Sequence, residues 1–229
     1  MKENKSFEIE PIRPFAKSNI WQLNRDFYQR EGINAWQGDV VPHHMTSNSM
    51  VGKTYAEIVL GVLRDLSTKS KTTEIVYILE LGTGHGRLAF HILKHIEQLS
   101  KNLNIKLPPY CYVVSDIVED SLSFYLEHPQ FKTYFEKGLL DLCYFDASKS
   151  SELKLRYSKQ TISEQSLSQP LIVIANYFFD SIPTELFYIK DNTMSSCSVS
   201  LHSDKDPEFI DKGKCKFKLY SERRNKSTK

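Results

Sequence analysis

IVYILELGTGHGRLAF, residues 75–90, changes character twice within a short span. Ile75 to Leu79 is apolar without polar alternation, the composition of a strand buried on both faces, as in a parallel sheet. Glu80 ends the run. Gly82, Gly84 and Gly86 follow at single-residue gaps, and a helical spacing begins at Arg87, with Leu88, Ile92, Ile96 and Leu99 on one side. Strand, glycine turn and helix together open a βαβ unit. Glycine suits a tight turn where a ligand approaches bare backbone. The helix start offers unpaired N–H groups to an anion. In the dinucleotide turn G-x-G-x-x-G the third glycine would fall at position 87, where this chain has Arg87.

Working outward, further apolar runs repeat the pattern. Tyr110 to Ser115 reads as a second strand ending at Asp116, Leu139 to Phe145 as a third ending at Asp146-Ala147, and Leu171 to Ala175 as a fourth ending at Asn176. Helical spacing lies between them at Ser121 to Glu127 and from Pro129 toward Gly138, and residues 148–157 are expected to be helical. The serine- and glutamine-rich stretch from Ser158 to Gln169 reads as loop. Ahead of the first strand, Ser18 caps a helix running to Glu31. A second helix from Met50 to Leu66 presents Val51, Tyr55, Ile58, Val59, Val62, Leu63 and Leu66 as its apolar face. Residues 1–17 read as an irregular lead-in. After Pro183 a hairpin is expected, Glu185–Lys190 and Ser196–His202 around Asp191-Asn192, followed by an edge strand in GKCKFKLY with Lys214, Lys216 and Lys218 on one face.

The alternation of strands and helices predicts an α/β fold: a Rossmann-like parallel sheet in a three-layer α/β/α arrangement, with an antiparallel hairpin after the fourth strand. The expected organisation is an N-terminal helical and lid segment over residues 1–70, a ligand-binding domain over 71–211, and a basic tail over 212–229 with an edge strand. That tail carries eight Lys/Arg against one acid, so the overall charge of +2 divides into +7 on the tail and −5 on the rest. A solvated terminus is the expected reading, since the nearby aromatic residues form no RNA-binding motif. No apolar run approaches the roughly 18 residues of a membrane span. MKENKSFEIE has neither the apolar core of a secretory signal nor the composition of a presequence. Four cysteines without CxxC spacing are expected to be reduced, in a cytoplasmic protein.

Parallel sheets bind ligands outside the carboxyl ends of their strands, and here each strand ends in polar residues. The glycine turn can meet an anionic group, and Glu80 stands at the end of the first strand. Asp116 can accept hydrogen bonds from ribose hydroxyls. Asp146 can accept from an adenine amino group while the next backbone N–H, at Ala147, donates to the ring. Asn176 and Tyr177 can orient an acceptor and present a π-face to a cation.

ELGTGHG, VVSD, FDA and IANYFFDSIP, in this order, resemble motifs I to IV of the class I S-adenosylmethionine (SAM) methyltransferases. The nearest subgroup resembles the MidA-type family, which includes a mitochondrial complex I assembly protein-arginine methyltransferase. The resemblance runs from about residue 25 to 200 and places counterparts at Gly38-Asp39-Val40, Glu80 to Gly86 and Asn176 to Pro183. It implies a methyltransferase with SAM as cofactor. Glu80, Gly82, Thr83, Gly84, Gly86, Asp116, Ile117, Asp146 and Ala147 would hold the cofactor, and Asn176 and Tyr177 would face the methyl group. Residues 32–49 would form part of a lid. The acceptor is a protein side chain or a small molecule. Two positions differ from the family's pattern: Tyr177 stands where it has Glu, and His43-His44 stand where it has Pro-Glu. The family's later strands have no counterpart after Pro183, so a shortened sheet is expected. The alternatives are a non-catalytic SAM-fold binding or assembly protein and a nicotinamide-dependent oxidoreductase, which Arg87 opposes.

Two other signals are set aside. Gly52-Lys53-Thr54 has the end of a P-loop, but Ser47 occupies the position of its first glycine. His91 and His95 have metal-ligand spacing, but Ile92 takes the place of the H-E-x-x-H glutamate.

Overall fold

The computed structural model describes residues 6–36, 44–69, 73–205 and 217–223. In chain order the elements are β1 (Phe7–Pro14), α1 (Ile20–Glu31), α2 (Ser49–Lys69), β2 (Val76–Glu80), α3 (Arg87–Asn102) and β3 (Tyr110–Asp116). α4 (Glu119–Glu127), α5 (Pro129–Glu136), β4 (Leu140–Tyr144), β5 (Leu153–Lys154), β6 (Thr161–Ile162) and β7 (Ile172–Ile174) follow, then β8 (Phe187–Lys190), β9 (Thr193–Ser203) and β10 (Phe217–Arg223). They form two compact units: residues 31–178, and residues 1–30 with 179–229.

The first unit is built on a parallel sheet in the order β4-β3-β2-β7. Its four strands coincide with the four apolar runs of the sequence. Side chains alternate between two cores, as the strand period requires. Ile78, Tyr112, Val114, Leu142 and Ile174 face α2, α3, α4 and α5, which supply Val59, Leu63, Leu88, Ile92, Leu122, Tyr125 and Phe131. Leu79, Cys111, Val113 and Cys143 face the other way, against Leu153, Leu155 and Ile162.

Handedness explains this division. The steps from β2 to β3 to β4 run in one direction across the sheet, so right-handed crossovers put their helices on one face. The step from β4 to β7 runs back past β3 and β2, so residues 145–171 must cover the opposite face. The helix expected at 148–157 is not there. Leu153 and Leu155 alternate with Lys154 and Arg156, a period of two, and β5 pairs antiparallel with β6 instead. The buried Asp141 carboxylate fixes this path by accepting from the Tyr157 and Ser158 amides, each at 3.0 Å. This second cover is therefore a short antiparallel element.

α2 lies against the sheet as expected, but its buried face is rotated. Ala56, Val59, Leu60 and Leu63 are buried, whereas Ile58 is 62% exposed. The cause is the crossing with α3: a Cβ on Gly52 would stand 2.4 Å from the His91 Cβ. Gly52 lets the two helices approach, which accounts for the glycine of the Gly52-Lys53-Thr54 signal. Lys53 pairs with Glu57 one turn on, at 3.7 Å.

The second unit is antiparallel, with β9 between β1 and β10 and with β8 pairing the start of β9. The hairpin falls at the expected turn: Lys190 opposes Thr193, and Asp191 and Asn192 have φ of 49° and 58°. The lead-in expected over residues 1–17 is not irregular where it is described, because Phe7–Pro14 pairs with β9 as β1; residues 1–5 lie outside the described residues. Two register shifts interrupt this pairing, between Glu8 and Glu10 and between Glu10 and Arg13; the second spans Pro11, which has no N–H to give a ladder. β10 is an edge strand, as expected, while Lys214 and Lys216 lie outside the described residues.

Candidate functional site

The ends of β2 and β3 are bound into one polar network. Glu80 is buried at the end of β2, and its Oε2 accepts from the Tyr112 hydroxyl at 2.9 Å. Burial pushes its carboxyl up to about 8; the Tyr112 hydrogen bond works against the rise and the nearby Asp116 adds to it. The Glu80 carbonyl accepts from Ser115 Oγ at 2.7 Å. Thr83 joins the two strand ends: its N–H donates to the Ser115 carbonyl at 2.9 Å and its Oγ1 accepts from the Ser115 N–H at 3.1 Å. Asp116 is also buried. Its Oδ2 accepts from the Gly84 N–H at 2.9 Å and its Oδ1 from the Val118 N–H at 3.0 Å. Burial raises Asp116 to about 6, opposed by backbone N–H groups of Gly84, Val118 and Ile117. Glu80, Thr83, Gly84, Asp116 and Ile117, which stand in two separate stretches of the sequence, are thus brought together.

Gly82, Gly84 and Gly86 all have positive φ, between 61° and 76°. Their side-chain faces meet aromatic rings. A Cβ on Gly84 would lie 2.5 Å from Trp36 Cζ2, and one on Gly82 would lie 3.0 Å from Phe178 Cδ2. One on Gly86 would meet Tyr125 and Phe131 at 3.0–3.1 Å. The Tyr125 hydroxyl donates to the Gly84 carbonyl. The glycines are required, then, by the packing of the chain on itself as well as by any ligand.

The outer strands end differently. Asp146 is buried after β4, and its Oδ1 accepts from the Ser148 N–H at 3.0 Å and the Ser148 hydroxyl at 2.6 Å. Lys149 Nζ stands 3.7 Å from Oδ2. Ala147 is exposed. After β7, the Asn176 Oδ1 accepts from the Tyr55 hydroxyl at 3.3 Å and its Nδ2 donates to the Thr46 carbonyl at 3.1 Å. This ties the β7 end to α2 and to the turn before it. Tyr177 is 73% exposed with φ of 50°, a conformation uncommon for a non-glycine residue and worth noting beside a site.

Of the segment expected as a lid, residues 32–36 form a 3-10 turn and 44–48 lead into α2, while Gly38-Asp39-Val40 and His43 lie outside the described residues. His44 Nδ1 is 3.4 Å from Arg87 Nη1. His95 Nε2 is 3.0 Å from Ser49 Oγ, which places it in the contact between α2 and α3. The residues that sequence reasoning missed are Trp36, Tyr112, Ser115 and Tyr125. Tyr112 carried a signal, since a buried phenol in a strand needs a polar partner; Trp36 carried none.

Residues 56–228 match the family described as "Putative S-adenosyl-L-methionine-dependent methyltransferase". No curated protein matches the chain. Among solved structures, the chain is similar to an uncharacterized protein from Burkholderia thailandensis at 15% identity and a TM-score of 0.43, covering 94% of this chain and 45% of that one. It is also similar to a "likely methyl transferase" from the same organism, bound to S-adenosyl-homocysteine, at 14% identity and a TM-score of 0.40 over 91% of this chain and 46% of that one. The chain thus spans under half the length of both.

Proposed function

The chain belongs to this family of S-adenosyl-L-methionine-dependent methyltransferases, and on that premise we propose that it transfers a methyl group from SAM to an acceptor held at the end of β7. SAM supplies an electrophilic methyl on a sulfonium. The residues present fit such a ligand. Glu80 is a buried carboxylate held up at about 8, so a neighbouring ammonium favours its ionised form. The turn from Gly82 through Thr83 and Gly84 to Gly86 holds the methionyl part against the start of α3. Asp116, beside Ile117, accepts from ribose hydroxyls, and Asp146 with Ala147 meets the adenine edge. Asn176, fixed by Tyr55 and Thr46, and the exposed Tyr177 line the acceptor side. Catalysis rests on alignment and proximity.

The acceptor is a protein side chain or a small molecule. Tyr177, in place of an acid, gives an arginine no carboxylate at that position. A cytoplasmic location agrees with the free, buried thiols of Cys111, Cys143 and Cys197, since reducing compartments keep thiols in that state.

The observation that carries the reading is the Glu80–Tyr112 and Asp116–Gly84 network around the glycine turn. Titration of the protein with S-adenosyl-homocysteine (SAH) tests it. Wild type is expected to bind, Gly84→Arg to lose binding because its side chain, at φ 65°, would fill the face of the turn that the ligand approaches, and Asp116→Ala to bind at least tenfold more weakly. Equal binding by all three would refute the assignment. Incubation of a lysate with methyl-labelled SAM separates the enzyme from a protein that only binds: a labelled product supports transfer.

A further inference from the structure

The bare face of Gly84 is where a ligand is expected to approach the turn, yet an indole of the chain already lies on it. Trp36 ends the 3-10 turn Gly32–Trp36, whose Gly32 and Ala35 are buried. Gly32, with φ of 52°, packs against Asp120 of α4: a Cβ there would sit 3.4 Å from the Asp120 Cβ and Oδ2. The turn is therefore anchored at its start, and its end reaches the glycines. The Trp36 ring stacks on the His85 imidazole at 5.5 Å between centroids and 13° between planes. His85 is the residue between Gly84 and Gly86, so the indole covers two successive positions of the turn. The Gly84 N–H is engaged as well, donating to Asp116. Trp36 precedes the residues that match the family, which begin at 56.

Two groups cannot share one face of one residue. We propose that Trp36 is a cover on the donor subsite: its indole and the methionyl arm of SAM or SAH compete for the face of Gly84, and binding requires the indole to leave. This rests on the reading of the glycine turn as the donor site. The apparent affinity is then the intrinsic affinity reduced by the fraction of molecules in which Trp36 is already displaced. Removing the indole raises that fraction and tightens binding. A displaced Trp36 also exchanges a packed, half-buried environment for water.

Trp21 is the other tryptophan of the chain, so a Trp21→Phe background makes the emission report Trp36 alone. SAH is the probe. On saturation the Trp36 emission is expected to move to the red, and Trp36→Ala is expected to bind SAH roughly tenfold more tightly than its parent. If the parent binds SAH while the emission stays fixed and Trp36→Ala binds within twofold of it, the cover is wrong and the donor site stands. If Trp36→Ala binds more weakly, Trp36 is a wall of the site and the proposal falls. If neither protein binds SAH, the donor-site reading fails and the cover fails with it. Should Trp36→Ala not fold, the emission measurement on the parent decides, with Trp36→Phe in place of the alanine variant.

Discussion

Each of the two four-stranded sheets buries a glutamate, and the two are treated in opposite ways. Glu10, in β1 of the antiparallel unit, is fully buried and well supplied with donors: the Ser18 hydroxyl at 2.6 Å, the Asn19 N–H at 2.9 Å and Arg13 Nε at 3.0 Å. Its charge is met within the chain, at the N-terminus of α1, where the helix favours an anion. Glu80, in the parallel unit, has the Tyr112 hydroxyl as its donor among the described residues and is held up at about 8. A carboxylate given a cation and amides is a structural clamp. A carboxylate kept from ionising by burial is poised for a cation that arrives from outside.

The largest effect belongs to the clamp. Glu10→Ala leaves the Ser18 hydroxyl, the Asn19 amide and Arg13 without their acceptor and is expected to cost about 3 kcal/mol of folding stability, read by denaturant titration. SAH affinity of the folded protein should not change. A loss of affinity matching that of a Glu80 variant would erase the distinction between the two acids.

Glu80→Gln should do the reverse. Losing a charged hydrogen bond to the ligand ammonium, worth about 1.5–3 kcal/mol, weakens SAH binding by roughly ten- to a hundredfold. Stability moves the other way, with a pH signature. Burial raises Glu80 from 4.5 to about 8 and Asp116 from 3.8 to about 6, so the folded protein holds more protons than the unfolded one across those ranges. Their contribution to stability is full below the unfolded values and is lost as pH rises toward 8. Thermal melts of wild type should fall in midpoint from about pH 5 to pH 8, and Glu80→Gln should flatten the upper part of that fall. At pH 7, SAH binding by wild type should release a proton, seen as a dependence of binding heat on the ionisation enthalpy of the buffer; Glu80→Gln should lose that component.

Tyr112→Phe sharpens the contrast at one atom. The hydroxyl opposes the rise of Glu80, so its removal makes ionisation harder and should weaken SAH binding at pH 7 by roughly fivefold, about 1 kcal/mol. The deficit should shrink as pH rises above 8; a deficit constant with pH would mean that Tyr112 acts only by packing. The smallest effect lies in an exposed turn of the antiparallel unit. Asn192 takes φ of 58° in the β8–β9 turn, and Asn192→Val should cost about 1 kcal/mol or less, lowering the melting midpoint by a few degrees with SAH binding unchanged.

The same two units differ in how much of them could be read locally. β2 and β3 announced themselves because a strand buried on both faces is apolar along its length, whatever its neighbours; β4 and β7 were legible from apolar runs too, although β4 carries Asp141 and Val173 of β7 is 50% exposed. The Asp191-Asn192 hairpin was legible because a two-residue turn demands residues that tolerate positive φ. β1 was not, since its strand character comes from pairing with β9, far along the chain, and its prolines argue locally against pairing. Residues 148–157 were misread because Leu153 and Leu155 sit among polar residues too few to establish a period. The rotation of α2 depended on where α3 crosses Gly52.

The candidate site divides along the same line. By itself the sequence determined which residues stand at the strand ends, because polarity after an apolar run is a local property: Glu80, Asp116, Asp146 and Asn176 are all there. Only the tertiary structure decided what each one does with its charge. Burial raises Glu80 and Asp116, Ser148 and Lys149 meet Asp146, and Tyr55 and Thr46 hold Asn176. Tertiary structure alone also set Trp36 on Gly84, since nothing in either stretch specifies the other. Backbone preference is written in a few adjacent residues, while solvent exclusion and ring contacts arise when distant segments occupy one volume.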